Sequence, residues 1–247
     1  MKSNENIIES NSSKADVLAI IPSGGVGKRM MSSEPKQFMT INSEPILLIT
    51  IRALISTGLI KNFIVPTIDI VYTRKILKSA FPDIEFFICK GGSTRQDSVH
   101  NGINEMIRLG LNPDLVLVHD AVRALIQKET VEAVIEGAKL TGAAIAARPV
   151  TDTLKLSYAN DKGENFIKKN VSRDLLWIAQ TPQVFKKDIL IQAYNKAKDE
   201  HFIGTDSSGL VERLGHEIRL VPGLPSNIKI TTPEDLQLAQ VYLQMRK

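Results

Sequence analysis

The stretch VLAIIPSGGVGKRM (residues 17–30) decides the fold. Its first six residues, VLAIIP, show no polar alternation, which is typical of a strand buried on both faces of a parallel sheet. The glycines that follow allow backbone N–H groups to approach phosphate oxygens closely, and Lys28 and Arg29 add positive charge. The stretch therefore predicts an α/β protein whose first strand ends in an anion-binding loop.

Four further apolar runs of strand length follow along the chain: FIVPTI (63–68), IEFFIC (84–89), LVLVHD (115–120) and AAIAARP (143–149). Segments with helical periodicity lie between the runs, at residues 46–57, 95–109 and 130–140. Strand and helix in alternation predict a mostly parallel sheet with helices on both faces. Ligands of such sheets bind beyond the carboxyl ends of the strands. We therefore expect the chemistry in four loops, which follow Pro22, Lys90, His119 and Pro149.

The alternation of strand and helix breaks at residues 150–177. Polar and apolar residues alternate there on both sides of the turn-rich sequence ANDKG (159–163), which predicts a projecting β-hairpin. The length of this hairpin indicates an arm that packs on something other than its own core, and a homodimer partner is the natural candidate. The last predicted element is a helix that begins at Thr231 or Thr232, followed by Pro233 and an acidic first turn.

Length and composition are those of an ordinary globular protein, with 247 residues of which 43% are hydrophobic. We expect one domain over residues 16–247 and a disordered, polar lead-in over residues 1–15. The single Cys89 excludes an intramolecular disulfide and a cysteine zinc cluster. No apolar run approaches the length of about 18 residues that a membrane span needs, and the first residues do not resemble a signal peptide. We therefore expect a cytoplasmic protein with no membrane partner.

The charge balance is mildly basic, with 31 Lys and Arg residues against 27 Asp and Glu residues. The excess is spread along the chain without a basic block. Proteins that bind nucleic acids usually cluster Lys and Arg on one face. The balance therefore fits an anionic small-molecule substrate and no nucleic-acid partner.

Two familiar phosphate-binding loops do not fit the glycine-rich stretch. A Walker A loop would need Gly at the position of Pro22 and Ser or Thr at the position of Arg29. A dinucleotide fingerprint that starts at Gly25 would need its last glycine at the position of Met30. What remains is Gly-Gly-x-Gly-x-Arg-Met, followed by the Pro-Lys-Gln unit that contains Lys36. Arg and Lys that converge on one glycine loop suit a triphosphate.

Seven motifs carry a family resemblance and occur in a fixed order: SGGVGKRM with EPKQF, GGSTRQDSV, VHDAVR, PVTDTLK, VSRDLLWIAQTPQVF, GTDSS and NIKITTPEDL. Together they resemble the 2-C-methyl-D-erythritol 4-phosphate cytidylyltransferases and the closely similar D-ribitol 5-phosphate cytidylyltransferases, over residues 17–243. The resemblance implies a nucleotidyltransferase-type, Rossmann-like α/β sheet with a β-arm exchanged in a homodimer. This agrees with the elements predicted from the residues alone.

The resemblance also implies a reaction, in which a sugar-alcohol phosphate attacks the α-phosphorus of CTP and pyrophosphate leaves. It assigns Mg²⁺ to Asp120. Catalytic residues would be Arg29, Lys36, Arg173 and Lys229. CTP-binding residues would be Ser23, Gly24, Gly25, Gly27, Arg29, Lys36, Gly92, Ser93, Ser98 and Asp120. Acceptor-binding residues would be Arg123, Thr153, Arg173, Thr181 and Lys229, of which Arg173 and Thr181 would reach into the partner's site.

Several alternatives stay open at the level of the sequence. His119 receives no catalytic part, and Arg95 with Asp97 equally suits a local pair at a helix start. The chain departs from the common family pattern at four positions: Ser23, Ala124, Ser172 and Ser207. The motifs PVTDTLK and TTPEDLQLAQVYL favour methylerythritol phosphate as acceptor, with ribitol phosphate as the second candidate. A noncatalytic nucleotide-binding protein is the third.

Overall fold

The computed structural model describes residues 15–25, 30 and 34–245. Two predicted site residues, Gly27 and Arg29, lie outside these residues, as does the predicted lead-in except for Ala15. Ala15 packs against the apolar core, and the backbone N–H of Asp16 donates to the Asp114 carboxylate at 2.8 Å. Residues 15 and 16 are therefore already in contact with the body of the protein, and the boundary between lead-in and domain stays a prediction.

Strands and helices alternate through most of the described chain. The strands are β1 (Val17–Ile20), β2 (Thr40–Ile41), β3 (Glu44–Pro45), β4 (Asn62–Thr67), β5 (Phe86–Lys90), β6 (Leu115–Val118), β7 (Ala143–Pro149), β8 (Leu154–Ala159), β9 (Asn165–Val171), β10 (Trp177–Lys186) and β11 (Arg219–Pro222). The helices are α1 (Ile46–Ile55), α2 (Ile70–Ala80), α3 (Arg95–Arg108), α4 (Lys128–Thr141), α5 (Lys187–Asp199), α6 (Ser207–Glu212) and α7 (Pro233–Met245). All five predicted strands and all four predicted helices are present.

Seven strands form one sheet in the order β11-β7-β10-β6-β1-β4-β5. Neighbouring strands run parallel except for β10, which is antiparallel to both β6 and β7. The predicted fold class, a mostly parallel sheet flanked by helices, is confirmed. Strands β10 and β11 and helices α2, α5 and α6 have no counterpart among the predicted elements. The polar residues in the middle of β10 hide its strand pattern, because Gln180, Thr181 and Gln183 are buried as hydrogen-bonding groups.

The two faces of the sheet carry separate apolar cores. Val17, Ala19 and Ile21 pack with residues of α1 and α4 on one face. Leu18 and Ile20 pack with residues of α3 and α5 on the other. Each fully buried aliphatic side chain contributes about 1.5–3 kcal/mol relative to an exposed one. This burial on both faces is what removes the polar alternation from the strand sequences.

Helix α3 is positioned closely against the sheet because it contains Gly102. A Cβ atom on this residue would lie 2.7 Å from Cγ2 of Ile20 and 3.1 Å from Cγ of Pro66. The helix starts with a capping box, in which Thr94 and Asp97 satisfy each other's backbone N–H groups. The close packing of α3 on the sheet and its N-terminal cap together place the first turn of α3 beside the carboxyl ends of β1 and β5.

The predicted hairpin is present as a separate two-stranded sheet of β8 and β9. Most of its side chains are exposed, and its turn contains Gly163 with a φ of +78°. The predicted exchange of this arm in a homodimer stays a prediction. No helix in the described part of the chain is long and apolar enough to cross a membrane.

We predict that Gly102→Ala destabilises the protein by about 1–3 kcal/mol, because the added methyl group overpacks the fully buried Ile20. Alanine is otherwise the better helix former by about 1 kcal/mol. Urea unfolding measures the change. The matched control is Asn104→Ala on the exposed face of the same helix, which we expect to be neutral or slightly stabilising. Equal stability of the Gly102→Ala variant and the native protein would contradict the close packing of α3 against Ile20.

Candidate active site

A cavity of about 140 Å³ lies beyond the carboxyl ends of β1, β5 and β6. It is lined by residues 22–25, 92–95 and 120–122, together with Lys36, Gln37, Ser98 and Lys229. Three of the four loops expected to carry chemistry contribute to this lining. The loop after Pro149 does not line this cavity but leads into the β8–β9 hairpin, so the expectation that it carries chemistry stays a prediction.

Two glycine-containing loops meet backbone to backbone at the cavity. A Cβ atom on Gly24 would lie 2.7 Å from Oγ of Ser98 and 3.2 Å from the Cα of Gly91. A Cβ atom on Gly91 would lie 2.8 Å from the Cα of Gly24. Because no side chain fits between them, the loop after β1 and the loop after β5 pack directly against each other and form one wall of the cavity.

The side chains of the second loop are largely occupied in shaping it. The Ser98 hydroxyl accepts from the backbone N–H of Gly92 at 3.0 Å and donates to the carbonyl of Thr94 at 2.9 Å. The Ser93 hydroxyl donates to Asp97, and this hydrogen bond lowers the pKa of the Asp97 carboxyl. Asp97 is thus part of the helix cap. The alternative of a local role at the helix start is confirmed for Asp97 and wrong for Arg95, which pairs with Asp120.

Ser23 is held in place by its backbone. Its N–H donates to the carbonyl of Pro66 at 2.7 Å, and its carbonyl accepts from Nε2 of Gln37 at 2.7 Å. Gln37 is 1% exposed, so the Pro-Lys-Gln unit is fastened to the loop after β1 by a buried amide. Lys36, the neighbour of Gln37, lines the cavity as a result. Sequence reasoning grouped Gln37 with Lys36 but did not identify this contact.

Asp120 is the centre of the charge in the cavity. Its Oδ1 accepts from Nε of Arg95 at 2.7 Å, and its Oδ2 lies 2.8 Å from Nζ of Lys229 and 3.8 Å from Nε of Arg123. Burial by itself raises the pKa of the Asp120 carboxyl, but the three positive charges outweigh burial and leave its pKa well below its usual range. One anion among three cations leaves the cluster with a formal charge of +2.

Arg95 is the member of this cluster that sequence reasoning missed. The ion pair with Asp120 raises the pKa of the Arg95 guanidinium in spite of the opposing effect of its burial. The motif GGSTRQDSV contains Arg95 in the first turn of a helix, and the structure brings that turn to the end of β6. The contact arises because α3 connects β5 to β6, two strands that are separated in the sheet by β4 and β1.

His119 fixes the loop that carries Asp120. Its Nε2 lies 3.1 Å from the carbonyl of Arg123, so this nitrogen is the donor. Its Nδ1 then accepts from the hydroxyl of Thr181 at 3.0 Å, and the same hydroxyl oxygen accepts from the backbone N–H of Asp120 at 3.1 Å. Burial lowers the pKa of His119 to about 4. A neutral, fully engaged imidazole agrees with the absence of a catalytic part for this residue.

Thr181 therefore lies in the body of its own chain but not in the lining of the cavity. Its side chain is 4% exposed and bonds to the loop that carries Asp120. The prediction that Thr181 reaches into a partner's site is wrong, because β10 returns from the arm into the main sheet before this residue. Thr153 and Arg173 remain with the arm, are exposed, and do not line the cavity of their own chain. Arg173 donates to the carbonyl of Thr151.

The segment before α7 brings Lys229 and Arg123 together. The N–H of Ile230 donates to the carbonyl of Val122 at 2.9 Å. Arg123 donates to the carbonyl of Asn227 at 2.6 Å, and the amide of Asn227 donates to the carbonyl of Thr181 at 2.9 Å. These hydrogen bonds hold the segment that carries Lys229 next to the loop that carries Asp120.

Asp120 is the one carboxylate among the described residues that line the cavity. No group of three or more His, Cys, Asp or Glu side chains within residues 15–25, 30 and 34–245 is placed to hold a metal ion. Mg²⁺ is commonly bound by one or two carboxylates together with substrate oxygens and water. The donor set therefore fits a magnesium ion that enters with a phosphorylated ligand, with Asp120 as its protein ligand.

We predict that His119 makes stability depend on pH between about 4 and 6.5. Its folded-state pKa of about 4 lies below the unfolded value of 6.5, so the unfolded chain binds the proton first as the pH falls. The contribution is present above pH 6.5 and decreases toward pH 4, by about 3 kcal/mol in total. Asp120 does not interfere, because its pKa is lowered and its contribution is lost only at more acidic pH.

Urea unfolding of His119→Gln between pH 4.5 and 7.5 tests this dependence. We expect the variant to lose the part of the pH slope that His119 supplies and to keep the part from His100, whose pKa burial also lowers. His216→Gln, at an exposed histidine, should keep the whole slope. An unchanged slope in His119→Gln would show that another group is responsible.

Comparison with known proteins points to one family. The family described as IspD: 2-C-methyl-D-erythritol 4-phosphate cytidylyltransferase matches residues 17–245. The chain is 40% identical over 234 residues to the 2-C-methyl-D-erythritol 4-phosphate cytidylyltransferase of Syntrophus aciditrophicus (strain SB), covering 94% of this chain and 97% of that protein. It is 39% identical over 232 residues to the enzyme of the same name from Caldanaerobacter subterraneus subsp. tengcongensis, covering 93% and 99%.

Solved structures agree. A crystal structure of a 4-diphosphocytidyl-2C-methyl-D-erythritol synthase superimposes with a TM-score of 0.76 at 30% identity and covers 93% of this chain and 100% of that one. The corresponding synthase from Anaerococcus prevotii DSM 20548 gives a TM-score of 0.75 at 29% identity, covering 94% and 99%. The family and the enzyme class expected from the sequence are confirmed: the chain belongs to the 2-C-methyl-D-erythritol 4-phosphate cytidylyltransferases.

Proposed function

We propose that the protein transfers a cytidylyl group from CTP to 2-C-methyl-D-erythritol 4-phosphate, giving 4-diphosphocytidyl-2-C-methyl-D-erythritol and pyrophosphate. This is a step of the non-mevalonate route to isoprenoid precursors. The observation that carries the proposal is the Asp120 cluster, a net positive site between two glycine-containing loops. Its charge suits two polyanionic substrates, and the names of the relatives support methylerythritol phosphate over ribitol phosphate as the acceptor.

The proposed chemistry needs no general base. An anionic oxygen of the acceptor phosphate forms a bond to the α-phosphorus of CTP while the bond from that phosphorus to the bridging oxygen breaks, and the leaving group is pyrophosphate. The task of the protein is to hold two anions in line and to stabilise the charge of the transition state. His119 has no part in a proton transfer, because its two nitrogens are engaged in the fold.

The residues divide by substrate in this proposal. Arg29 and Lys36 stabilise the triphosphate, and Lys229, which lines the cavity with Lys36, orients the attacking phosphate. Asp120 holds Mg²⁺, which neutralises phosphate charge when it is bound. The base lies against Gly92, Ser93 and Ser98 and the backbone of Ser23 and Gly24, and the backbone of Gly25 and Gly27 binds phosphate oxygens. Arg123 and Thr181 position the acceptor side through Asp120 and Asn227.

We also propose that the arm completes the site of a second copy. The hairpin and the segment behind it expose large apolar side chains, among them Ile167 at 66% and Leu175 at 89%. Apolar exposure of this kind is typical of a surface covered in an oligomer. Thr153 and Arg173, which are remote from their own cavity, would then bind the acceptor in the partner's cavity. One domain over residues 16–247 and a cytoplasmic location complete the proposal.

The test of the function is pyrophosphate release with Mg²⁺ and CTP, run in parallel with 2-C-methyl-D-erythritol 4-phosphate and D-ribitol 5-phosphate. We expect turnover with the first acceptor. Turnover with ribitol phosphate alone would contradict the proposed acceptor, and CTP binding without turnover on either would contradict the proposed reaction.

In the same assay we expect Lys36→Ala to lower kcat about 10²–10³-fold, because it removes one preorganised cation from the transition state. The matched control is Lys75→Ala, at an exposed lysine of α2, which we expect to leave kcat unchanged. An active Lys36→Ala variant would remove Lys36 from the proposed site.

Mixing two inactive variants tests the arm. We expect Lys36→Ala and Arg173→Ala each to be inactive alone. After subunit exchange, half of the dimers are mixed, and one of their two sites combines an intact body with an intact arm. About a quarter of native activity should therefore return if the arm is exchanged across a two-fold axis. No recovery, in a mixture shown by mass spectrometry to contain mixed dimers, would place Arg173 in its own chain's site.

A further inference from the structure

Arg95 is a buried cation of the cavity that none of the proposed roles uses. Its Nε donates to Oδ1 of Asp120 at 2.7 Å. Only 22% of its side chain is exposed, and its two terminal nitrogens are buried without a hydrogen-bond partner among the described residues. Buried donors without partners are costly. Among the described residues, the one strong contact of the Arg95 guanidinium is therefore the carboxylate of Asp120.

The three cations around Asp120 differ in how firmly they are held. Arg123 is 11% exposed, its terminal nitrogen donates to the carbonyl of Asn227, and its Nε stays 3.8 Å from the carboxylate. Lys229 is 36% exposed and reaches Oδ2 with a single ammonium group. Lys229 is therefore the contact that exchanges most easily for a substrate phosphate. Arg95 holds the opposite oxygen and does not compete with that exchange.

The main chain that carries Arg95 is fixed on both sides. Thr94 caps the helix before it. The amide of Gln96 after it donates to the carbonyl of Phe202 at 2.9 Å and accepts from the N–H of Gly204 at 2.8 Å. A short ion pair from a fixed backbone restrains the direction of the Asp120 carboxylate.

We propose that Arg95 is a positioning residue, which holds Oδ1 of Asp120 so that Oδ2 stays turned toward the cavity after Lys229 has moved to the acceptor phosphate. The inference rests on the proposed function, in which Asp120 is a ligand of Mg²⁺. Arg95 acts through Asp120 and does not contact either substrate. It connects the loop after β5, on the nucleotide side, with the carboxylate after β6.

A double-mutant cycle tests whether Arg95 acts through Asp120. We expect Arg95→Gln to lower kcat about 10²-fold, the scale of a misplaced reacting group, with the KM for the acceptor within about threefold of the native value. In an Asp120→Asn background the same substitution should change kcat less than about threefold, because coupled residues are not additive. Arg108→Gln, at an exposed ion pair on the same helix, serves as the matched control and should be neutral.

Binding of CTP alone gives a readout that does not depend on turnover. Calorimetry in EDTA should give Arg95→Gln a CTP affinity within about threefold of the native protein, whereas Lys36→Ala should lose tenfold or more. Added Mg²⁺ should tighten CTP binding to the native protein and have little effect on Arg95→Gln. Melting temperatures report folding, and Arg95→Lys, which keeps the charge, supplies the same cycle if the glutamine variant does not fold.

Two results would overturn the inference. One is a loss of kcat in the Asp120→Asn background as large as in the native protein, which would mean that Arg95 acts independently of Asp120. The other is a loss of metal-free CTP affinity in Arg95→Gln equal to that in Lys36→Ala, which would make Arg95 a direct ligand of CTP. Neither result bears on the function itself, which fails separately if the native protein releases no pyrophosphate.

Discussion

The buried carboxylate of Asp120 is the constraint on which the rest of the site depends. An ionised group at the end of an interior strand is stable only where opposite charges surround it. Arg123 comes from the same loop as Asp120, whereas Arg95 and Lys229 come from distant parts of the chain. The capped start of α3, the loop after β6 and the segment before α7 must therefore converge on one point. The glycines that let the two loops touch and the buried amide of Gln37 serve the same convergence.

Three cations around one anion are more than neutrality requires. Burial lowers the pKa of Arg123, and the charge of Arg95 lowers it further, so the cluster holds its positive charges against their mutual repulsion. A polyanionic ligand relieves this repulsion, because phosphate oxygens supply the missing negative charge at the cavity. The repulsion between the cations destabilises the free protein, and bound substrate removes it. In this respect the site is preorganised for charge that arrives with the substrates and grows in the transition state.

The sequence predicts what apolar patterning and glycine spacing control. Strands β1, β4, β6 and β7 follow from burial on both faces, the loop after β1 follows from its glycines, and the hairpin follows from alternation around ANDKG. Strand β5 is present, but the expectation that it is buried is wrong, because it lies at the edge of the sheet and is only partly buried. Strand β10 was not predicted, because its buried residues Gln180, Thr181 and Gln183 are polar and do not form an apolar pattern. The role of Arg95 in the site was not predicted for a related reason. Its partner lies 25 residues away after a strand that is not a neighbour of β5 in the sheet. Local spacing offered Asp97 as a partner of Arg95, but the Asp97 carboxylate is engaged in the capping box of α3.

The identity of the acceptor is harder to predict from local sequence than the charge of the site, because the proposed acceptor contacts lie on the arm. In the proposed function the cations on the body bind phosphate, a group that every candidate acceptor carries. The exposed Thr153 and Arg173, which the resemblance assigns to the acceptor, lie on the arm, away from their own cavity. In the proposed dimer the body of one subunit supplies the charge and the arm of the other supplies contacts to the polyol. Specificity then depends on how two copies dock, so changes in the arm can alter the acceptor while the Asp120 cluster and its chemistry stay the same.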